Sequence, residues 1–211
     1  FCRAPWRWRV PGLVLCLSFP SWNHQVLSSG KYHRFHEIEP EIKTTGWTQA
    51  LLKGPEILMR SERSRVVYYG DGIGGFTTVL KYDDPLGGGY YSMANSGKMD
   101  ASSRGDMQTQ TMLAHFPMLF HPGAKTVMVL GLASGITAGE VLCYPVEQLD
   151  MLEISRVVVK GSKFFRQWNN NVLSDPRTRL IIQDARAHLA LTREKYDVII
   201  SEPSNPWMAG L

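Results

Sequence analysis

The chain has 211 residues, 44% of them hydrophobic and 20% charged, which fits a soluble globular protein and excludes a disordered one. Its 19 Gly and 12 Pro follow no strict period, which excludes collagen and low-complexity chains; three scattered cysteines (Cys2, Cys16, Cys143) argue against a disulfide framework or a zinc site. The net charge of +4 belongs to residues 1–36, where Arg3, Arg7, Arg9, Lys31 and Arg34 stand without an acid; the remaining 18 bases and 19 acids balance to −1, so the body carries no polycationic nucleic-acid face.

The chain starts at Phe1 rather than Met, with a Trp- and Arg-rich stretch to Arg9 and then an apolar run from Val10 to Phe19. Three readings stay open: an irregular arm packed on the domain, a secretory signal interrupted by Pro11, or the end of a membrane span that begins upstream. No apolar run reaches the roughly 18 residues of a complete membrane helix. Residues 21–62 read as mostly loop, with a weak helical patch near Thr48–Leu52. Three β-prone runs follow, Val66–Tyr69, Phe76–Tyr82 and Tyr90–Ala94, separated by the turn clusters Gly70–Gly75 and Asp83–Gly89. They predict an antiparallel meander.

After Asp100 the period becomes helical, with Met107, Thr111, Met112, His115 and Phe116 on one face and Pro117 with Pro122 as the stop. Predicted strands at Lys125–Leu130, Val146–Glu153, Thr178–Gln183 and Tyr196–Ser201 then alternate with predicted helices near Thr137–Cys143, Arg156–Asn169 and Ala185–Leu191. That alternation predicts βαβ units and a parallel sheet. The expected architecture is α/β: an N-terminal arm over 1–62, a small antiparallel β-domain over 63–104, and a Rossmann-like domain over 105–211.

Chemistry-bearing residues fall at the predicted strand ends, where ligands bind in open α/β sheets. The first strand runs into Gly131-Leu-Ala-Ser-Gly135, a small-residue turn that lets a ligand approach the backbone at a helix start, or serves packing alone. Glu153 ends the second strand, 18 residues after Gly135, and is either a ribose acceptor or a helix cap. Asp184-Ala185 follows the third strand and suits an adenine amine, a helix cap, or both. A Gly turn, a ribose acid and an adenine acid in register form the layout of enzymes that use S-adenosyl nucleotides. After the fourth strand, Ser201-Glu-Pro-Ser-Asn-Pro-Trp207 offers Glu202 as a base and Asn205 and Trp207 as an amine pocket, or is a plain turn. The six histidines show no metal spacing, and Cys143 reads as a buried, inert helix residue.

From about Val67 onward the chain resembles the spermidine synthase (polyamine aminopropyltransferase) family, and Ser28–Tyr32 extends the likeness. Asn95-Ser-Gly-Lys98 resembles the family's Asn-Gly-Lys element, and Met112-Leu-Ala-His-Phe-Pro117 its His-x-Pro helix. Gly131–Ile136 resembles its nucleotide loop and Glu153-Ile-Ser155 its ribose motif. Asp175-Pro-Arg177 is identical to the family's run, and Asp184-Ala185 matches its adenine motif.

The diamine side departs from the family. Glu202-Pro-Ser-Asn-Pro206 stands for Asp-Ser-Ser-Asp-Pro, so Glu202 takes the place of the deprotonating Asp and Asn205 replaces an acid that holds the polyamine cation. The gate helix begins Gly105-Asp106 and keeps only Gln110 of its later trio, and Ser134 replaces an acid in the nucleotide loop. This pattern resembles members fused behind membrane helices.

The resemblance implies aminopropyl transfer from decarboxylated S-adenosylmethionine to an amine such as putrescine, with no metal. Glu202 would be the base, Asp106 and Asn205 would position the amine, and Gln110, Gly131, Ala133, Ser134, Gly135, Glu153, Asp184 and Ala185 would bind the nucleoside. Methyl transfer from S-adenosylmethionine and a non-catalytic nucleoside sensor are the alternatives. The implied partner is a small-molecule amine and no nucleic acid; a homodimer and an upstream membrane segment stay open. The implied location is cytoplasmic, with or without a membrane tether. A domain of this kind has about seven strands, so a chain stopping at Leu211 reads as a piece cut at both ends.

Overall fold

The computed structural model describes residues 23–30, 35–54, 64–84 and 88–201. The N-terminal arm to residue 22, the middle of the Asp83–Gly89 turn, and the run containing Glu202, Asn205 and Trp207 lie outside the described residues.

The stretch read as mostly loop contains α1 (His24–Ser28), α2 (Phe35–Thr45) and α3 (Trp47–Lys53), of which α3 coincides with the helical patch expected near Thr48–Leu52. Pro40, which argued for loop, sits inside α2, where the exposed Glu39–Lys43 pair at 2.7 Å closes one turn. Asn23 caps α1, its Oδ1 accepting from the backbone N–H of Gln25 and Val26. Gln25 then works as a surrogate strand: its Nε2 donates to Ser64 O at 2.7 Å and its Oε1 accepts from Val66 N–H at 3.0 Å.

The meander is borne out and has one more strand than expected. β1 (Ser64–Gly72), β2 (Gly75–Tyr82), β3 (Tyr90–Asn95) and β4 (Lys98–Ser102) form an antiparallel sheet in that order. Lys98-Met-Asp-Ala-Ser alternates polar and apolar residues but holds no β-branched or aromatic residue, so its strand propensity is low and the preceding turn brings it into the sheet. Ser96 and Gly97 both have positive φ (48° and 76°), the paired left-handed geometry whose twist suits a two-residue hairpin.

The predicted helix is α4 (Met107–Phe120), which continues through Pro117. Its buried residues are Gln110, Ala114 and Met118, whereas Met112 and Phe116 are exposed along with Leu119 and Phe120. Apolar periodicity therefore marked the wrong face. The choice was made by tertiary packing, because α4 lies against the helix that follows the first parallel strand.

That second sheet is β5 (Thr126–Leu130), β6 (Gln148–Glu153), β7 (Thr178–Ile182) and β8 (Val198–Ser201), all parallel, in the order β7-β6-β5-β8. Between them come α5 (Ile136–Val141), α6 (Arg156–Ser162) and α7 (Ala185–Leu191). The α6 helix is half the expected length, because the chain passes into a 3-10 turn at Lys163–Phe165 and then into left-handed Asn170 and Asn171. The fold is a small antiparallel sheet followed by a Rossmann-like α/β unit. No described helix is long and apolar enough to cross a membrane.

One core joins both sheets. Val79, Met93 and Ala101 of the first sheet belong to the same buried cluster as Val127, Val129, Leu149 and Met151 of the second. The α6 helix is the shared wall: a Cβ on its Gly161 would meet Met93 Cε at 2.9 Å, and Val157 fills the space beside Gly70 and Gly72. Phe165, fully buried, packs edge-on to Tyr91 and Trp168 at centroid distances of 6.2 and 6.4 Å.

On the opposite face of β6, Asp150 is completely buried. It accepts from Arg179 Nε at 2.8 Å, a second Arg179 nitrogen, Tyr196 OH at 2.6 Å and Gln148 Nε2 at 3.0 Å. Burial raises its pKa, but the bonds from Arg179, Tyr196 and Gln148 outweigh this and hold it below the usual carboxylate range. Burial, then the Asp150 carboxylate, pushes the Tyr196 phenol up to about 12.

An unfolded phenol titrates near pH 10. Between pH 10 and about 12 the unfolded chain therefore loses this proton while the folded one keeps it, and stability falls as pH rises. Tyr196→Phe is accordingly expected to be less stable than the parent at pH 8, by about 1.5 kcal/mol for a lost bond to a charged group. The gap should shrink as pH rises toward 12. Urea midpoints at pH 8 and pH 11.5 check this, and a constant gap would mean Tyr196 contributes only packing.

Candidate active site

All four parallel strands point their carboxyl ends at one edge of the sheet, and the loop that leaves β5 there is built from small residues. Gly131, Ala133 and Gly135 have φ of 91°, 44° and 82°. Ala133 is the one that bears a side chain, so it pays the left-handed penalty of about 1–2 kcal/mol. Gly131 is exposed and Ala133 half-exposed, so the backbone here is open to a ligand. Gly131 N–H donates to Leu152 O at 2.9 Å, extending the ladder between β5 and β6 beyond the strand itself.

Glu153 pins this loop. It is 8% exposed at the tip of β6, its Oε2 accepts from Leu132 N–H at 3.0 Å, and its Oε1 accepts from Ser155 N–H at 2.8 Å. One carboxylate thus fixes the turns after two neighbouring strands. A carboxylate has about four acceptor positions, so two remain for a ligand. The cap reading fails for Glu153, because Ser155 occupies the N-cap of α6.

Asp184 caps α7, its Oδ1 accepting from Ala187 N–H at 2.8 Å. The residue is exposed, Ala185 beside it is half-buried, and the second carboxylate oxygen accepts nothing among the described residues. The cap leaves that oxygen available for a second role. Asp184 stands two residues past Ile182, the partner of Glu153 in the ladder between β6 and β7.

Gln110 and Ser134 have a different place. Both are buried, at 1% and 0% exposure, and Ser134 Oγ donates to Gln110 Oε1 at 2.5 Å. Gln110 Nε2 donates to Ser102 O at 2.9 Å, and Gln110 O accepts from Thr137 Oγ1 at 3.0 Å. Their polar atoms are spent on one another and on backbone, so they shape the loop from behind. Asp106, half-buried at the start of α4, joins the same chain: its Oδ1 accepts from both N–H and Oγ of Ser102 at 2.7 Å. Asp106, Ser102, Gln110 and Ser134 thereby tie the end of the antiparallel sheet to the nucleotide-type loop.

Two residues of this region carry no pattern in the sequence. Ser102 is the hub just described. Asn169 is 2% exposed and its Nδ2 donates to Ser134 O at 2.8 Å and Ser162 O at 3.2 Å. It supports the loop from 35 residues away, a distance no local period reports. Cys143 is exposed rather than buried; partial desolvation and then the nearby Glu140 raise its pKa, which keeps it a thiol. His115 packs between Tyr144 OH (Nδ1, 2.8 Å) and Glu140 (Nε2, 3.2 Å) and joins α4 to α5. Among the described residues no cluster of His, Cys, Asp and Glu could hold a metal ion.

Comparison with known proteins agrees with this arrangement. The polyamine aminopropyltransferase of Sodalis glossinidius is 36% identical over 116 residues, covering 54% of this chain and 40% of that protein. Thermospermine synthase ACAULIS5 of Arabidopsis thaliana is 32% identical over 115 residues, covering 54% of this chain and 34% of that protein. The chain thus spans about two fifths or less of these relatives' lengths.

Among solved structures, a spermidine synthase in complex with the transition-state analogue AdoDATO superposes with a TM-score of 0.59 at 27% identity, over 68% of this chain and 48% of that one. The Thermotoga maritima spermidine synthase does so with a TM-score of 0.57 at 27% identity, over 65% of this chain and 47% of that one. Residues 107–209 match the family model for the spermine/spermidine synthase domain.

Proposed function

We propose that this chain is part of an aminopropyltransferase that moves the aminopropyl group of decarboxylated S-adenosylmethionine to a small amine. The observation that carries the reading is Glu153, which fixes the Gly131–Gly135 loop and keeps two acceptor positions at the strand tips. These suit the paired hydroxyls of a ribose, the open backbone of Gly131 and Ala133 suits close approach of the nucleoside, and the spare oxygen of Asp184 suits an adenine amine. Gln110, Ser134, Gly135 and Ala185 serve the same ligand indirectly, by shaping the loop and the start of α7.

The donor is a sulfonium, so the chemistry needs no metal. A neutral amine nitrogen attacks the methylene carbon bonded to sulfur. The carbon–sulfur bond breaks, its electron pair stays on sulfur, and a neutral thioether, methylthioadenosine, leaves. The new secondary ammonium passes its proton to Glu202, while Asn205 and Asp106 hold the amine in line. An amide at 205 holds a cation less tightly than an acid, which favours acceptors less charged than putrescine. Residues 63–104 form the β-domain and 105–211 the nucleoside-binding domain in this reading. A cytoplasmic location, a tether through the Trp-rich start and a homodimer belong to it as well.

Product identity tests the proposal. Incubation with each sulfonium donor and a panel of amines including putrescine is expected to release methylthioadenosine from the decarboxylated donor, read by mass. Release of S-adenosylhomocysteine would overturn it in favour of methyl transfer, and nucleoside binding without either product would make the chain a sensor.

A further inference from the structure

The α4 helix starts on an acid that does not cap it. Aspartate is among the best N-cap residues, because its carboxylate accepts from the free N–H groups of the first turn. Asp106 holds the N-cap of α4, yet its side chain makes no such bond. It turns back to the antiparallel sheet, where its Oδ1 accepts from Ser102 N–H and Ser102 Oγ, each at 2.7 Å. Asp184, at the N-cap of α7, takes the ordinary course and accepts from Ala187 N–H. The α4 helix therefore forgoes a cap that the same residue type supplies elsewhere in the chain.

Ser102 is what holds the carboxylate away. It is buried at the end of β4, 6% exposed. Its Oγ accepts from Gly105 N–H at 2.8 Å, Arg104 N–H at 3.3 Å and Asp106 N–H at 3.4 Å. Those N–H groups occupy the lone-pair side of the oxygen, so the hydroxyl proton is left for Asp106 Oδ1. The carbonyl of the same residue accepts from Gln110 Nε2 at 2.9 Å. With Oδ1 engaged twice, Oδ2 is the available oxygen of Asp106: it accepts nothing among the described residues, and the side chain is half-buried rather than enclosed.

We propose that Ser102 is a positioning residue for the acceptor amine: its hydroxyl holds Asp106 off its own helix and leaves Oδ2 to the amine. The inference rests on the reading of Asp106 as an amine holder. Ser102 acts through Asp106 and touches no substrate itself. Without the Oγ bond the carboxylate relaxes toward the first N–H groups of α4, as Asp184 does on α7, and the helix gains a cap while the amine loses its partner.

Equilibrium binding of putrescine and of propylamine to the full chain saturated with methylthioadenosine tests this as a double-mutant cycle. Ser102→Ala and Asp106→Asn should each weaken amine binding by about tenfold, the loss of one bond to a charged group, and leave methylthioadenosine affinity unchanged. Adding Ser102→Ala to Asp106→Asn should cost nothing further, because the hydroxyl works only through that carboxylate. Ser102→Thr, which keeps a hydroxyl, should bind amine as the parent does. Losses that multiply in the double variant, amine binding unchanged by either single replacement, a Ser102→Thr loss as large as that of Ser102→Ala, or no amine binding by the parent would overturn the proposal. The parent given the decarboxylated donor separates this from the reaction: the expected binding pattern without release of methylthioadenosine would uphold Ser102 and remove aminopropyl transfer.

Discussion

Gly139→Ala is expected to destabilise the protein by about 3 kcal/mol, although alanine is the better helix former by about 1 kcal/mol. Gly139 lies inside α5, and a Cβ there would stand 2.3 Å from the backbone oxygen of Asn169, 2.6 Å from its carbonyl carbon and 3.0 Å from its Cα. That backbone has little freedom to retreat. Asn169 is bonded to Ser134 O and Ser162 O, and Asn170 Nδ2 donates to Gly139 O at 3.0 Å. The added methyl must push the 169–171 turn off α5 and break those bonds.

Gly161→Ala is the natural control. Its Cβ would approach Met93 Cε, the end of a flexible side chain, at 2.9 Å. A cost of about 1 kcal/mol or less is expected there. Urea midpoints of the two variants with unchanged slopes check the pair. Equal losses would mean that backbone collision is not the cause.

Glu202→Gln is expected to lower turnover by about a thousandfold while leaving nucleoside affinity unchanged, because it removes the proposed general base and keeps size and hydrogen bonding. The last residue of β8, Ser201, pairs with Leu130, the residue immediately before Gly131. Glu153→Gln should show the opposite split. An amide can accept at only one of the two places where Glu153 now holds Leu132 and Ser155 N–H groups. Nucleoside affinity should drop by about tenfold for one such bond to a charged group. Single-turnover rates and equilibrium binding of the donor separate the two effects. Turnover that survives Glu202→Gln would remove it as the base.

The parallel sheet was legible because β5 and β8 are short apolar runs of the kind a strand covered on both faces requires, and because strand-like and helix-like segments alternate around them. The places of Glu153 and Asp184 at or just past strand ends were legible for the same reason. The helices α1 and α2 were missed because their residues give little apolar period and Pro40 reads as a breaker, whereas α3 coincides with the helical patch expected near Thr48–Leu52. For α4 the packing partner reversed the signal: the polar Gln110 is buried and Phe116 is exposed. Gln110 and Ser134 were expected to bind the nucleoside, yet their place behind the loop depends on Ser102 and Thr137, which only the folded chain brings within reach. Asn169 lay beyond any pattern of sequence, since its value rests on one turn of backbone meeting another.

Asp197 gives the second sheet a timetable. Its Oδ2 accepts from Lys125 N–H and Thr126 N–H at 2.8 Å and from Thr126 Oγ1 at 3.0 Å, which clasps the start of β8 to the start of β5. Those partners are 71 residues apart. At translation rates of about 5–20 residues per second, β5 therefore waits on the order of ten seconds for the strand that closes its flank. During that interval β5, β6 and the loop between them can assemble, while one edge of β5 stays open to any other strand. A nascent chain that pauses between residues 130 and 197 would hold a nearly finished nucleotide loop beside an unguarded edge, so the span before Asp197 is where chaperone protection would matter most.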